Sequence, residues 1–285
     1  MPHPLVVKAH PVRAESAICP RAVVADKIIV RDLGKIFEGR KSSTAALDHF
    51  NLDLIEGEFL CIVGPSGCGK TTFLRIIAGL EEPSDGTITV HRSGAGERPL
   101  NAMVFQEQSL LPWLTVIDNV AFGLEMRGLG RRERYARAQP HIEMVGLSRF
   151  RDYYPHQLSG GMKQRVSLAR AFANDPEILL MDEPFASLDA QNKMILQEEL
   201  LHIWETHRKT VIFITHAIDE ALTLGDRVVV MSAAPGRIME VINVGFARPR
   251  QVAELRARPE FGELSLGIWR MLEGEVRKAR RSDAA

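Results

Sequence analysis

The residues with the clearest chemical content lie in Gly64–Thr72, "GPSGCGKTT". Gly64, Gly69, Lys70 and Thr71 stand at the spacing GxxxxGK[ST], between an apolar run, "EFLCIVG", and a helical one, "KTTFLRIIAGL". Glycines let successive backbone N–H groups curl round a phosphate, and a helix N-terminus adds its partial positive charge. In that context the pattern reads as a nucleotide phosphate loop in which Gly64, Pro65, Ser66, Gly67, Cys68, Gly69, Lys70, Thr71 and Thr72 surround the phosphates. Lys70 is placed to reach the β- and γ-phosphates, and the Thr71 hydroxyl to ligate Mg²⁺. Cys68 is read either as a thiol whose pKa the helix start depresses or as a small residue contributing mainly its N–H.

Such a loop needs an acid for the metal and a group to aim water. "EILLMDEP" offers both at the end of an apolar strand. Asp182 is placed to hold Mg²⁺ through its water shell, and Glu183 to polarise an attacking water. His216, in "FITHA", ends a further strand. Parallel topology carries it to the same sheet edge, where it would bond the γ-phosphate and fix Glu183 or the water.

A second anion-binding shape follows in "LSGGM", Leu158–Met162, ahead of the helical run "KQRVSLARAFAND". Ser159 offers a hydroxyl, Gly160 and Gly161 offer accessible N–H groups, and the helix offers its dipole.

The elements that must position these groups are legible in the spacing of apolar residues. "IIVRDLGKIF" and "HFNLDLIEGE" show period-two alternation, with Phe50, Leu52 and Leu54 set against Asn51 and Asp53. "GTITVHRSG" reads as one more antiparallel strand and turn. Residues from about 109 to 175 are mostly helical in pattern; "RRERYARAQPHIEMVGL" reads as the clearest amphipathic piece, with Pro140 expected to kink or restart it. "EILLMD", "TVIFITH" and "RVVVMS" read as buried strands separated by the helical runs "AQNKMILQEELLHIWETH" and "AIDEALTLG". Strands alternating with helices on this scale predict a mainly parallel α/β sheet. In the charged tail, Phe261, Leu264, Leu266, Ile268 and Trp269 suggest a docked helix.

Bulk composition narrows the setting. Lys plus Arg and Asp plus Glu are equal at 36 each in 285 residues, which argues against a whole-domain nucleic-acid footprint. No apolar run reaches the length of a membrane span. The first residues lack the order of a secretory signal, and the three cysteines (Cys19, Cys61, Cys68) are too few and scattered for a disulfide frame or a zinc site, which fits a reducing cytosolic compartment. There are no internal repeats.

In chain order the motifs are "GPSGCGKTT", "VFQE", "LSGGM", "ILLMDEP", "SLD" and "ITH". Across roughly residues 27 to 235 this set resembles the nucleotide-binding subunit of ATP-binding-cassette (ABC) transporters. The resemblance implies a P-loop NTPase (RecA-like) α/β core with a mainly parallel sheet, an antiparallel β subdomain and an inserted helical subdomain at about 107–175. It divides the chain into a loose extension at 1–26, the ATP-binding domain at 27–247 and a helical tail at 248–285. It implies an ATP- and Mg²⁺-dependent hydrolase acting at the cytoplasmic face of the inner membrane as a peripheral subunit. Its expected partners are a second copy on ATP binding, integral-membrane permease subunits and, indirectly, a solute-binding protein.

Roles then transfer by position. In the family two subunits pack head to tail, and the "LSGG" segment of one covers the γ-phosphate held by the glycine loop of the other; here that assigns Ser159, Gly160 and Gly161. Gln106 would contact Mg²⁺ or the water, Asp189 would lie across the dimer interface, and Phe37 would stack on adenine unless it serves as a strand-end core residue. The widespread form of the signature ends in Gln where this chain has Met162, which loses a hydrogen-bonding side chain. "LPWLTVIDNVAFGLEMRG", "DEPFASLDAQNK" and "RPRQVAELRARPEFGELSLGIW" resemble the importer branch serving nitrate, sulfonates, taurine and related solutes. In "QEQSLLPWL", Leu110, Leu111 and Trp113 either receive a permease helix or pack within the helical subdomain. The alternative function is a soluble, non-transport ABC ATPase of DNA repair or translation, whose usual insertions or second cassette this chain lacks.

Overall fold

A computed structural model describes residues 26–39, 42–93, 98–106, 109–186 and 188–282. The expected N-terminal extension before residue 26, Cys19 and Ser187 of the "SLD" motif lie outside the described residues.

The chain begins with two long strands, β1 (Asp26–Glu38) and β2 (Ser43–Ile55), joined with β4 (Asp85–Val90) in an antiparallel sheet of order β2-β1-β4. The alternation in this region has a direct cause. Phe50, Leu52 and Leu54 turn inward and are buried, while the residues between them face out.

The central sheet contains β3 (Phe59–Val63), β5 (Asn101–Val104), β6 (Ile178–Asp182), β7 (Thr210–Ile214), β8 (Arg227–Met231) and β9 (Ile238–Asn243). Its order is β5-β6-β7-β3-β8-β9, parallel throughout except for β9, which pairs antiparallel with β8. Every residue of β3, β6 and β7 is buried, as expected of strands covered on both faces. Alternate side chains feed two cores. Phe59, Cys61, Val63, Met181, Phe213 and Val230 face one; Leu60, Ile62, Leu180, Ile212, Ile214 and Val229 face the other.

The second of these cores holds α1 (Lys70–Ile77), through Phe73, Leu74 and Ile77, and the inner face of β2. The first holds α5 (Ala190–His207), α6 (Ile218–Leu224) and the tail helices α7 (Val252–Arg256) and α8 (Pro259–Ser282). Buried Arg250 donates to the carbonyls of Thr223 and Gly225, so it closes the C-terminal end of α6. The tail helix docks as expected through Phe261, Leu264 and Ile268, but Leu266 and Trp269 lie on its other side and are about half exposed, at 47% and 50%. At about 100° per residue they cannot share a face with Ile268.

Three helices form a separate layer: α2 (Val116–Met126), α3 (Arg131–Met144) and α4 (Gly160–Ala173). Val116, Val120, Ile142, Val166 and Ala169 are among the residues of their common core. The opposite face of α4, through Leu168 and Phe172, joins the sheet core, so this helix ties the layer to the sheet. The amphipathic face expected of α3 is narrow, with only Ala138 and Ile142 buried. Nor does Pro140 restart the helix, which runs unbroken through it. Among the described residues no helix is long and apolar enough to cross a membrane.

Candidate functional site

The loop from Gly64 leaves the C-terminal end of β3 and enters α1 at Lys70. Its shape depends on glycine at two points. Gly67 has φ +77° and Gly69 has φ +95°, backbone that side chains oppose. A Cβ on Gly69 would also stand 2.4 Å from the Ala46 carbonyl oxygen. Lys70 is 6% exposed, and its ammonium donates to the carbonyls of Gly64 and Pro65 at 2.8 Å each. Neither partner carries charge, so the cation is held in the loop without a neutralising carboxylate on either bond. Burial pushes the Cys68 thiol up, with Lys70 opposing the shift. Of the two readings of Cys68, the small, unreactive side chain is the one that fits.

Across the loop, the Thr71 hydroxyl donates to Asp182 Oδ1 at 3.1 Å. Burial raises the Asp182 carboxyl above the usual carboxylate range, opposed by the Thr71 hydrogen bond and by Arg75 and Lys70. A hydroxyl and a carboxylate oxygen side by side at the end of a strand form the oxygen donor set that suits Mg²⁺.

Glu183 follows Asp182 directly and adopts φ +44°. Its N–H donates to the Ile214 carbonyl at 3.0 Å, and its carbonyl accepts from the Ala186 N–H at 3.1 Å. These bonds hold a backbone conformation that costs a non-glycine residue energy and recurs where function demands it. The consequence is directional: Glu183 Oε2 lies 2.9 Å from Nδ1 of His216, two residues beyond the end of β7. Adjacent parallel strands thus deliver Asp182, Glu183 and His216 to one sheet edge.

A cleft of about 490 Å³ is lined by Phe37, Ser66, Gly67, Cys68, Gly69, Lys70, Thr71, Thr72, Gln106 and Glu183, with Asp182 and His216 bonded to the lining residues Thr71 and Glu183. Thr44, Ala45, Ala46 and Ala234 complete the lining. Sequence inspection did not single out these four, since small residues carry no chemical signature and enter through backbone proximity. Phe37 is not a core residue; it is 41% exposed, with Lys35 Nζ 4.9 Å from its ring centroid.

Of the expected site residues, Gly64, Pro65, Asp182, His216, Ser159, Gly160, Gly161 and Asp189 are not part of the cleft lining. Ser159 and Gly160 are exposed at the start of α4, where Ser159 caps the helix by accepting from the Met162 N–H at 3.4 Å. Met162 itself packs against the core of the helical layer. Its apolar side chain therefore has a packing role, which the sequence alone left unexplained. Asp189 caps α5, accepting from the N–H groups of Gln191 and Asn192 at 3.1 and 3.0 Å. Hydrogen bonds from the Asn192 backbone and side chain hold its carboxyl below the usual carboxylate range.

The loop before α2 divides between the two readings given to it. Leu110 packs against the helical layer, whereas Trp113 is 69% exposed. Buried Asn119 fastens this loop, donating to the carbonyls of Leu111, Leu114 and Thr115 and accepting from the Leu111 N–H.

A phosphate loop at the carboxyl edge of a mainly parallel sheet, facing an Asp–Glu pair and a histidine, defines a P-loop nucleotide hydrolase. The family model described as ABC transporter matches residues 47–186. An ABC transporter ATP-binding protein of Methanocaldococcus jannaschii is 52% identical over 254 residues, 89% of this chain and 94% of the relative. The nitrate import ATP-binding protein of a Synechocystis species is 41% identical over 251 residues, 86% of this chain and 94% of the relative. A solved dimeric ATP-binding cassette, in a post-hydrolysis state bound to ADP and Pi, matches with a TM-score of 0.68 at 33% identity, covering 77% of this chain and 100% of that one. The chain belongs to the ABC transporter ATP-binding proteins, in their importer branch, and is an ATP-hydrolysing transport ATPase.

Proposed function

We propose that this subunit energises import of a small solute such as nitrate, a sulfonate or taurine, working as a head-to-tail dimer beneath integral-membrane permease subunits at the cytoplasmic face. The observation that carries the hydrolytic reading is the 2.9 Å pairing of Glu183 with His216 beside the Thr71–Asp182 pair, all on one sheet edge. The nitrate import relative and a taurine import relative, 48% identical over 225 residues, support that range of solutes. The same relationship weighs against a soluble, non-transport ATPase.

Backbone N–H groups from Gly67 to Thr71 wrap the β-phosphate, and Lys70 exchanges its two loop carbonyls for β- and γ-phosphate oxygens. The ring of Phe37 stacks on the adenine. Thr71 and Asp182 would hold Mg²⁺, with Gln106 of the cleft lining contacting it or the water. The ion, when bound, neutralises charge that builds on the phosphoryl oxygens. Glu183 accepts a proton from the attacking water through the oxygen that His216 leaves free. His216 donates Nδ1–H to Glu183 Oε2 and thereby fixes the angle of that carboxylate. Ser159, Gly160 and Gly161 of a second copy close over the γ-phosphate, and Asp189 lies across the same interface. Trp113 projects from the Asn119-fastened loop towards the permease.

The test is Glu183→Gln. The amide keeps the side chain's size and loses its basicity, so ATP hydrolysis should fall by about 100-fold or more, while ATP affinity is retained. An ATP-dependent dimer should then accumulate on size exclusion with light scattering. Parental turnover in this variant would remove Glu183 from the role.

A further inference from the structure

His216 is set in a frame that the proposed chemistry does not use directly. Thr215 precedes it, is 2% exposed, and donates its N–H to the Ile62 carbonyl at 3.1 Å. Its hydroxyl donates to Glu220 Oε2 at 2.6 Å and accepts from the Ala217 N–H at 3.0 Å. One hydroxyl thus ties down the backbone immediately after His216, while the Thr215 N–H ties down the backbone immediately before it.

Glu220, in α6, is 3% exposed. Its second oxygen, Oε1, accepts from Lys193 Nζ at 2.7 Å. Lys193 lies in the first turn of α5, where its N–H donates to the carbonyl of the capping residue Asp189 at 2.9 Å. The result is an unbroken chain of contacts from Asp189 through Lys193, Glu220 and Thr215 to the turn carrying His216. An ion pair on a buried carboxylate is a poor way to join two helices, since apolar residues of similar volume often serve stability as well or better. What a connected network of charged and hydrogen-bonded groups adds is a fixed direction for its members.

We propose that Thr215, Glu220 and Lys193 are positioning residues: together they hold the His216 imidazole against Glu183 and tie that geometry to the start of α5. The inference rests on the roles given above to His216 and Glu183. The three side chains touch no reacting atom; they act by limiting the orientations open to the imidazole.

Thr215→Val keeps the shape and β-branching and removes only the hydroxyl, while Lys193→Met removes the ammonium. In the full-length chain each should lower kcat for ATP hydrolysis about tenfold or more, with KM for ATP within about twofold of the parent. Should Lys193→Met fail to fold, Lys193→Met/Glu220→Gln removes both charges, leaves an amide oxygen for Thr215 and still breaks the tie to α5, so it should show the same loss of kcat, about tenfold; a parental kcat in it overturns the Lys193 role. The decisive comparison repeats Thr215→Val in a His216→Ala background. A residue that acts through His216 adds almost nothing there, whereas a merely structural residue costs the same factor in both backgrounds. Where His216→Ala turns over too slowly to be read, the ¹⁵N signal of the His216 ring decides: it should move in Thr215→Val and in Lys193→Met. An unchanged kcat in Thr215→Val, an equal loss in both backgrounds, or an unmoved ring signal overturns the positioning role. An unchanged kcat in His216→Ala itself removes the His216 assignment on which it stands.

Discussion

Gly67 and Gly69 are both left-handed, yet their surroundings differ. Nothing lies within 4 Å of the place a Cβ on Gly67 would occupy, whereas a Cβ on Gly69 would meet the Ala46 carbonyl oxygen at 2.4 Å and Leu47 Cδ2 at 2.9 Å. Gly67→Ala should therefore cost only the conformational penalty, about 1–2 kcal/mol. Gly69→Ala adds a clash with backbone that has no side chain to swing aside, so its loss should exceed that figure clearly. Urea unfolding of the nucleotide-free protein measures both, and a smaller loss for Gly69→Ala would refute the steric account. The same scale shows what a sequence conceals. Gly69, Lys70 and Thr71 announce themselves by spacing, but Ala46 does not, although its carbonyl sets the limit on Gly69. Met162 was visible as a departure from pattern, and only its contact with the helical core explains it.

Strands β3, β6, β7 and β8 were legible because each is a short unbroken apolar run buried on both faces. Strands β5 and β9 were not. Four residues of β5 are too few to display a period, and β9 is half exposed at the sheet edge, without clean alternation. Pro140 does not restart α3, and the reason is again local: the rule for proline is blind to which side of the helix faces water. Pro140 and Ala136 are both exposed, so the carbonyl freed at Ala136 is open to hydration and α3 continues. The cost of the missing hydrogen bond remains. Pro140→Ala should accordingly stabilise the protein by about 1–2 kcal/mol, the helix-interior penalty of proline less what its rigidity removes from the unfolded chain. Thermal unfolding would reveal it as a raised Tm; an unchanged or lower Tm would mean that the turn gains nothing from an N–H at this position.

At the scale of the whole molecule, one chain carries two segments proposed to bind one anion between them, and they do not meet. The glycine loop lines the cleft, while Ser159 and Gly160 lie exposed at the head of α4 and take no part in its lining. In the proposed head-to-tail pair each loop would lie under the other's signature, and every hydrolytic site would be a joint product of two subunits. This arrangement predicts complementation between two defective chains. Lys70→Met disables the glycine loop and leaves the signature sound; Ser159→Phe blocks the signature and leaves the loop sound. Each homodimer then has two broken sites. A mixed dimer has one site broken on both sides and one site wholly intact, because the sound loop of one chain lies under the sound signature of the other. Random pairing of equal amounts makes half the dimers mixed, so with independent sites the mixture should recover about a quarter of the parental ATPase rate. Sites confined to single chains would give no more than the average of the two defective preparations, and that outcome would refute the shared site.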